Sequence, residues 1–153
     1  MGSMAITLRT ARPSDHDAIV RIVDEWWGRP VANVLPRLFL DHFHATSLIA
    51  ERDGLLAGFL IGFHSPSARG VAYVHFVGVA PAARGTGLAR RLYETFCAAA
   101  VRDGCARVRA ITSPVNTGSV AFHRAMGFTV AGPVPDYDGP GIERIVFERA
   151  LVG

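Results

Sequence analysis

Lysine is absent: all sixteen basic residues of this 153-residue chain are arginine. That removes the phosphate loop of nucleoside-triphosphate hydrolases, which needs a lysine followed by Ser or Thr after its second glycine. Cysteine is scarce, and Cys97 and Cys105 show neither Cys-x-x-Cys nor a His/Cys ligand spacing. Neither a disulfide framework nor a metal site is expected, and both thiols should be buried and reduced. His16, His42, His44 and His64 fall at expected caps, helix ends or strand ends, which adds no metal ligand set. No apolar run approaches the roughly 18 residues of a membrane span. Met1-Gly-Ser-Met4 lacks the basic start and apolar middle of a signal peptide. It reads as an expression scar ahead of a start at Met4, with the cytoplasm as the expected location. Excess charge is also small: the formal net charge is +3, and the arginines form no block on one expected helix face. A nucleic-acid footprint is therefore not expected, whereas small anionic ligands are compatible.

Half of the residues are hydrophobic, enough for one sizeable core and too few for two ordinary ones, so residues 5–153 read as a single domain. Ile6–Arg9 alternates as a strand, and Arg12-Pro-Ser-Asp15 supplies a cap ahead of a helical series at Ile19, Ile22, Val23 and Trp26. Gly28-Arg-Pro30 breaks that helix. Val34–His44 reads as a second one, with Leu35, Leu38 and Phe39 inside and Pro36 in its first turn. Asp53-Gly54 between the apolar runs 47–52 and 55–64 is a hairpin signal. A strand over 72–79 must end at Pro81, a helix follows with Leu88, Leu92, Phe96 and Ala99 on one face, and Asp103-Gly104 closes it. Then come a strand at 107–112, a short helix at 116–125 stopped by Gly127, a strand at 128–131, a loop at 132–141 and a last strand at 142–149. Hairpins mixed with β-α-β crossovers point to an α/β mixed sheet of about seven strands with about four helices on its faces.

Between the apolar strand and the third helix lies Val79-Ala-Pro-Ala-Ala-Arg-Gly-Thr-Gly-Leu-Ala-Arg-Arg91. A strand, a glycine-punctuated turn and a helix start put several free N–H groups at the positive end of a helix dipole, a ready anion site. Gly85 and Gly87 let a phosphate approach the backbone, and Arg84, Arg90 or Arg91 add charge from the side. A dinucleotide-binding Gly-x-Gly-x-x-Gly fits poorly, because Arg90 stands at its third glycine and three strands precede it.

Arg84-Gly-Thr-Gly-Leu-Ala89 resembles the (Gln/Arg)-x-x-Gly-x-(Gly/Ala) signature of the GNAT superfamily of acyl-CoA-dependent N-acetyltransferases. Val77-Gly-Val-Ala-Pro81 resembles the end of that family's central strand, and Asn116–Phe128 resembles its later Asn-x-x-Ala-x-x-Phe-Tyr-x-x-x-Gly-Phe segment. The resemblance implies that the pyrophosphate of acetyl-CoA sits on the amides of Arg84, Gly85, Thr86, Gly87, Leu88 and Ala89. It also implies a splayed pair of parallel central strands, with the pantetheine arm along Val77 and Val79 and near Asn116, and one N–H polarising the thioester carbonyl. Asn116 is equally readable as the cap of its helix.

Amide formation from a thioester needs a base for the ammonium and a donor for the departing thiolate. The family often has Glu on the central strand and Tyr in the later helix, and this chain has His75 and His123 at those places. Each can titrate near neutrality, but running both roles at once needs one ring neutral and the other charged. His75 is alternatively a hydrogen-bonded core histidine, His123 a surface-helix residue, and water can replace either. The resemblance places the acceptor between Glu25-Trp26-Trp27 and the loop carrying Tyr137 and Asp138, aromatics and acids that suit a cationic amine. The expected function is acetyl transfer from acetyl-CoA to a primary amine of a small molecule or peptide by direct attack, without metal, nucleic acid or membrane, in a monomer or homodimer. The alternatives are a non-catalytic CoA-binding module, another acyl donor, or an N-terminal α-amine acceptor.

Overall fold

The computed structural model describes residues 5–151, so the short leader read as an expression scar lies outside the described residues. The elements in chain order are β1 (Thr7–Thr10), α1 (Asp15–Trp27), α2 (Leu38–Phe43), β2 (Leu48–Arg52), β3 (Leu55–His64), β4 (Val71–Val79), α3 (Leu88–Arg102), β5 (Arg107–Thr112), α4 (Thr117–Ala125), β6 (Thr129–Val134) and β7 (Arg144–Ala150). The seven strands form one mixed sheet in the order β1-β2-β3-β4-β5-β7-β6. β4 and β5 pair in parallel, with Val71–Tyr73 against Arg107–Arg109. The β1/β2, β2/β3, β5/β7 and β6/β7 pairs are antiparallel.

Two compact units make up the chain, one from the residues up to Phe63 with Val74–Ala99, the other from His64–Tyr73 and Ala100 onward. In the first, α1 forms because Ile19, Val23 and Trp26 recur on one face and are buried there. Ser14 makes no side-chain cap bond; instead the Asp15 carboxylate accepts from the Arg12 amide at 2.7 Å and from the Arg9 guanidinium at 2.8 and 2.9 Å. Gly28, in the left-handed region at φ 72°, ends the helix. Asp53 and Gly54 both have positive φ, 53° and 77°, as a two-residue hairpin turn matched to strand twist requires. Phe59 and Ile61 of β3 pack with Ile19, Val23, Trp26, Leu35 and Leu40. A side chain at Gly58, on the other face of β3, would meet Leu88 and Leu92 of α3. Helices on both faces explain why β3 is buried from Ala57 through Gly62 instead of alternating.

The second helix is shorter than its apolar pattern suggests. Ala32–Val34 forms one 3-10 turn and α2 begins only at Leu38. Pro36 has no N–H to continue a hydrogen-bond ladder, so the helix restarts beyond it. The inward residues are consequently Leu35 and Leu40, at 1% and 0% exposure, while Leu38 faces solvent at 49%.

In the second unit Val108, Ala110, Ile145, Phe147, Met126 and Phe128 are buried. Asn116 caps α4, its side-chain oxygen accepting from the Ser119 amide at 3.2 Å. β6 extends past the expected end to Val134 through a register shift between Ala131 and Val134. Pro133 is tolerated there because β6 is an edge strand. β7 starts at Arg144, two residues late, after a turn in which Gly141 sits at φ 77°. Cys97 and Cys105 are both buried. Among the described residues no helix is long and apolar enough to cross a membrane.

Candidate active site

β4 ends at Val79, Pro81–Ala83 makes a 3-10 turn, and Arg84 leaves it extended before α3 opens at Leu88. Gly85 and Gly87 lie at φ 78° and 80°, and a Cβ on either would meet no protein atom. Backbone conformation demands glycine at both, and their missing side chains leave the amides open. The Thr86 hydroxyl donates to the Ala83 carbonyl at 2.5 Å and ties the turn to itself. Among the described residues, no acceptor takes the amide N–H of Gly85, Thr86, Gly87, Leu88 or Ala89. Five donors thus stand together at the positive end of a 15-residue helix.

Beside this loop lies a pocket of about 320 Å³ walled by Trp26, Trp27, Val77, Val79 and Arg84. One Nη of Arg84 donates to the Trp26 carbonyl at 2.8 Å, joining the loop to the last turn of α1. Trp27 packs against Phe76 with ring centroids 5.0 Å apart. Gly78 permits the close packing here, since a Cβ would fall 2.5 Å from the Phe59 ring and 3.1 Å from Trp27. That is a signal the strand pattern alone did not reveal. Glu25, expected beside the acceptor, is exposed and is not among the pocket walls.

His75 stacks flat on Phe39, centroids 3.9 Å apart with a 2° interplanar angle, and its Nε2 lies 2.7 Å from the Val34 carbonyl. A carbonyl only accepts, so Nε2 carries the hydrogen and the neutral ring keeps its lone pair on Nδ1. Burial lowers the His75 pKa below its usual 6.5, the bond to Val34 opposing in part. The His16 Nε2 holds the next carbonyl, that of Leu35, at 2.8 Å. The Asp24 carboxylate accepts from the amides of Val31 and Ala32 at 2.7 and 2.8 Å. Four side-chain bonds therefore fix the α1–α2 linker against α1 and β4.

In the second unit His123 is only 6% exposed, inside the core instead of on the helix surface. Its ring stacks on Phe147 at 3.9 Å with a 2° angle, and its edge contacts involve Phe122 and Phe128. Nδ1 lies 2.7 Å from the Ser119 carbonyl and so carries the hydrogen. Burial lowers this pKa too, with the Ser119 bond opposing. Both shifts run the same way, toward the neutral ring. Asp138 is ion-paired with Arg144 at 2.7 Å, and Tyr137 is 45% exposed. Burial, with Tyr137 and Asp138 adding and Arg144 opposing, pushes the Tyr73 phenol up to about 12.

A protein-family model described as the acetyltransferase (GNAT) family matches residues 13–128, which include α1, β4, the glycine turn and α4. The chain belongs to the GNAT acetyltransferase family. The GNAT fold is matched by a solved GNAT-family protein from Desulfovibrio desulfuricans with a TM-score of 0.83, at 21% identity over 97% of this chain and 100% of that one. It is matched also by the diaminobutyrate acetyltransferase of Paenibacillus lautus, solved with L-2,4-diaminobutyric acid and coenzyme A. There the TM-score is 0.75 at 19% identity, over 99% of this chain and 100% of that one. In sequence, the L-2,4-diaminobutyric acid acetyltransferase of Vibrio parahaemolyticus serotype O3:K6 is 30% identical over 80 residues, 52% of this chain and 42% of that protein. The chain spans less than half the length of the curated relatives it matches. Among the described residues of this GNAT chain, no group of three His, Cys, Asp or Glu could hold a metal ion.

Proposed function

We propose that this chain binds acetyl-CoA and transfers its acetyl group to a primary amine by direct attack within a ternary complex. One observation carries the reading: in a GNAT fold, the five amides of Gly85–Ala89 stand unpaired at the start of α3, where a pyrophosphate would be held. Main-chain groups of Val77 and Val79, beyond the residues of β4 that pair with β5, contact the pantetheine arm and polarise the thioester carbonyl. The amine nitrogen attacks that carbonyl, the C–N bond forms, the C–S bond breaks, and one proton leaves nitrogen. His75 takes it at Nδ1, because Nε2 is committed to Val34 and burial favours the neutral ring. Thiols ionise near pH 8.5, so the departing thiolate can take its proton from solvent. The roles of His123, Asn116, Tyr137 and Asp138 rest on their motif positions. The relatives named diaminobutyric acid acetyltransferases make a small-molecule amine the first acceptor class to test.

Calorimetric titration with coenzyme A, acetyl-CoA, NAD and ATP, followed by thiol release from acetyl-CoA across an amine panel, tests this reading. Coenzyme A binding with amine-dependent thiol release is expected. A response to NAD or ATP and none to coenzyme A would overturn the reading. Coenzyme binding without release under any amine would instead identify a non-catalytic CoA-binding module.

A further inference from the structure

Asp24 lies in the last turn of α1, where the helix carbonyls disfavour an anion. It is exposed, and among the described residues it pairs with no cation. Its carboxylate instead commits one oxygen to two linker amides, those of Val31 and Ala32, at 2.7 and 2.8 Å. From Ala32 the constraint passes to His75 through a single peptide plane. The Ala32 carbonyl accepts from the Leu35 amide at 3.1 Å. The Leu35 N–H and the Val34 C=O belong to one planar trans peptide and point in opposite directions. Fixing that N–H on Ala32 therefore aims the Val34 carbonyl at His75 Nε2, 2.7 Å away. Next along the chain, the Leu35 carbonyl is held by His16 Nε2 at 2.8 Å, and among the described residues His16 Nδ1 is left buried without a partner. A buried lone pair without a donor carries a cost, which this ring bears while holding the linker.

Phe39 and Val34 restrain the His75 ring in different ways. The flat stack on Phe39 sets the plane of the ring but does not tell one nitrogen from the other. The Val34 carbonyl does: it keeps the hydrogen on Nε2 and the lone pair on Nδ1. Without that acceptor the hydrogen is free to move to Nδ1, and the base nitrogen is lost.

We propose that Asp24 is a positioning residue for acetyl transfer. By holding the Val31 and Ala32 amides it aims the Val34 carbonyl, and that carbonyl keeps His75 in the tautomer whose Nδ1 accepts the proton of the amine. This inference rests on the acetyltransferase reading and on His75 as its base.

The test uses the whole chain with isotopically labelled histidine nitrogens, together with amine-dependent thiol release from acetyl-CoA. At about pH 8, above the ordinary histidine value of about 6.5, the ring signals that vanish in His75→Asn should show the wild-type hydrogen on Nε2. Asp24→Ala should move the hydrogen in part to Nδ1 and lower kcat by about 100-fold, the scale of a small misplacement at a reacting group, with the KM for acetyl-CoA unchanged. Asp24→Asn keeps an oxygen acceptor and should retain the tautomer and most of kcat. In a His75→Asn background Asp24→Ala should cause no further loss, since a residue acting only through His75 has no effect once that ring is gone. The inference is overturned if wild type carries the hydrogen on Nδ1, or if Asp24→Ala leaves the tautomer or kcat unchanged. It is overturned also if the loss in kcat persists in the His75→Asn background, as a merely structural role would give. Failure of wild type to bind coenzyme A or to release thiol with any amine sinks the acetyltransferase reading and the positioning role with it. The ring spectra still show whether Asp24 sets the His75 tautomer, which separates the two failures.

Discussion

His75 and His123 occupy similar surroundings: each lies flat on a phenylalanine and donates one ring N–H to a backbone carbonyl. Their consequences differ. His75 keeps Nδ1 as a lone pair, so His75→Asn should lower kcat by roughly 100- to 10,000-fold, the range of general-base catalysis. In the wild type kcat/KM should rise with pH through a value under 6.5, since a base acts deprotonated and burial lowers this group. That acidic limb should disappear in His75→Asn, and a limb that persists there would remove His75 from the mechanism. For His123 the larger effect is packing. His123→Ala should cost about 3 kcal/mol, as large-to-small core changes do. His123→Phe, which retains the stack on Phe147, should recover most of it in urea unfolding. Identity at both positions was legible in the sequence, but which ring nitrogen is committed was not, because the carbonyls of Val34 and Ser119 that decide it depend on how loop and helix fold.

Among the elements, β4 shows how close packing constrains a strand. Gly78 stands where any side chain would overlap Phe59 and crowd Trp27. Gly78→Ala should therefore destabilise by about 1–3 kcal/mol, the cost of overpacking, and thermal unfolding with and without coenzyme A would show whether the pocket walls shift as well. Asn116→Ala should cost about 1 kcal/mol through the lost cap on α4. Nearly wild-type stability in that variant would mean that solvent satisfies the Ser119 amide equally well. Turn chemistry made most elements readable: Asp53-Gly54, Gly104, Gly127 and the capping Asn116 stand where the chain turns. The reading failed where an apolar pattern competed with proline. Leu35 and Leu38 looked like neighbours on one helix face, but Pro36 separates them, burying one and exposing the other.

For the molecule as a whole, pH should act in two stages. His75 and His123 have folded pKa values below the unfolded 6.5, so on acidification the unfolded chain takes protons first. Their stabilising contribution is complete above 6.5 and declines as pH falls below it. Asp15 and Glu148 are also lowered, by Arg9 in one case and by Arg109 and Arg107 in the other, against burial. Their contribution is present above the unfolded values of 3.8 and 4.5 and is lost at lower pH. Urea midpoints from roughly pH 4 to 8 should rise and then level off, and the His75→Asn, His123→Phe double variant should flatten the upper stage. Sequence by itself determined the element order, the mixed sheet with its parallel pair, the glycine turn and the family, because turn residues, periodicity and contiguous motifs are local along the chain. Only the tertiary structure decided which charge walls the pocket and which side chains hold the α1–α2 linker. It also decided that His123 is buried, that His75 is half-buried, and that burial lowers the pKa of both. These properties arise where residues distant in sequence meet, as Arg84 meets Trp26 and His75 meets Val34, and desolvation there depends on every surrounding atom.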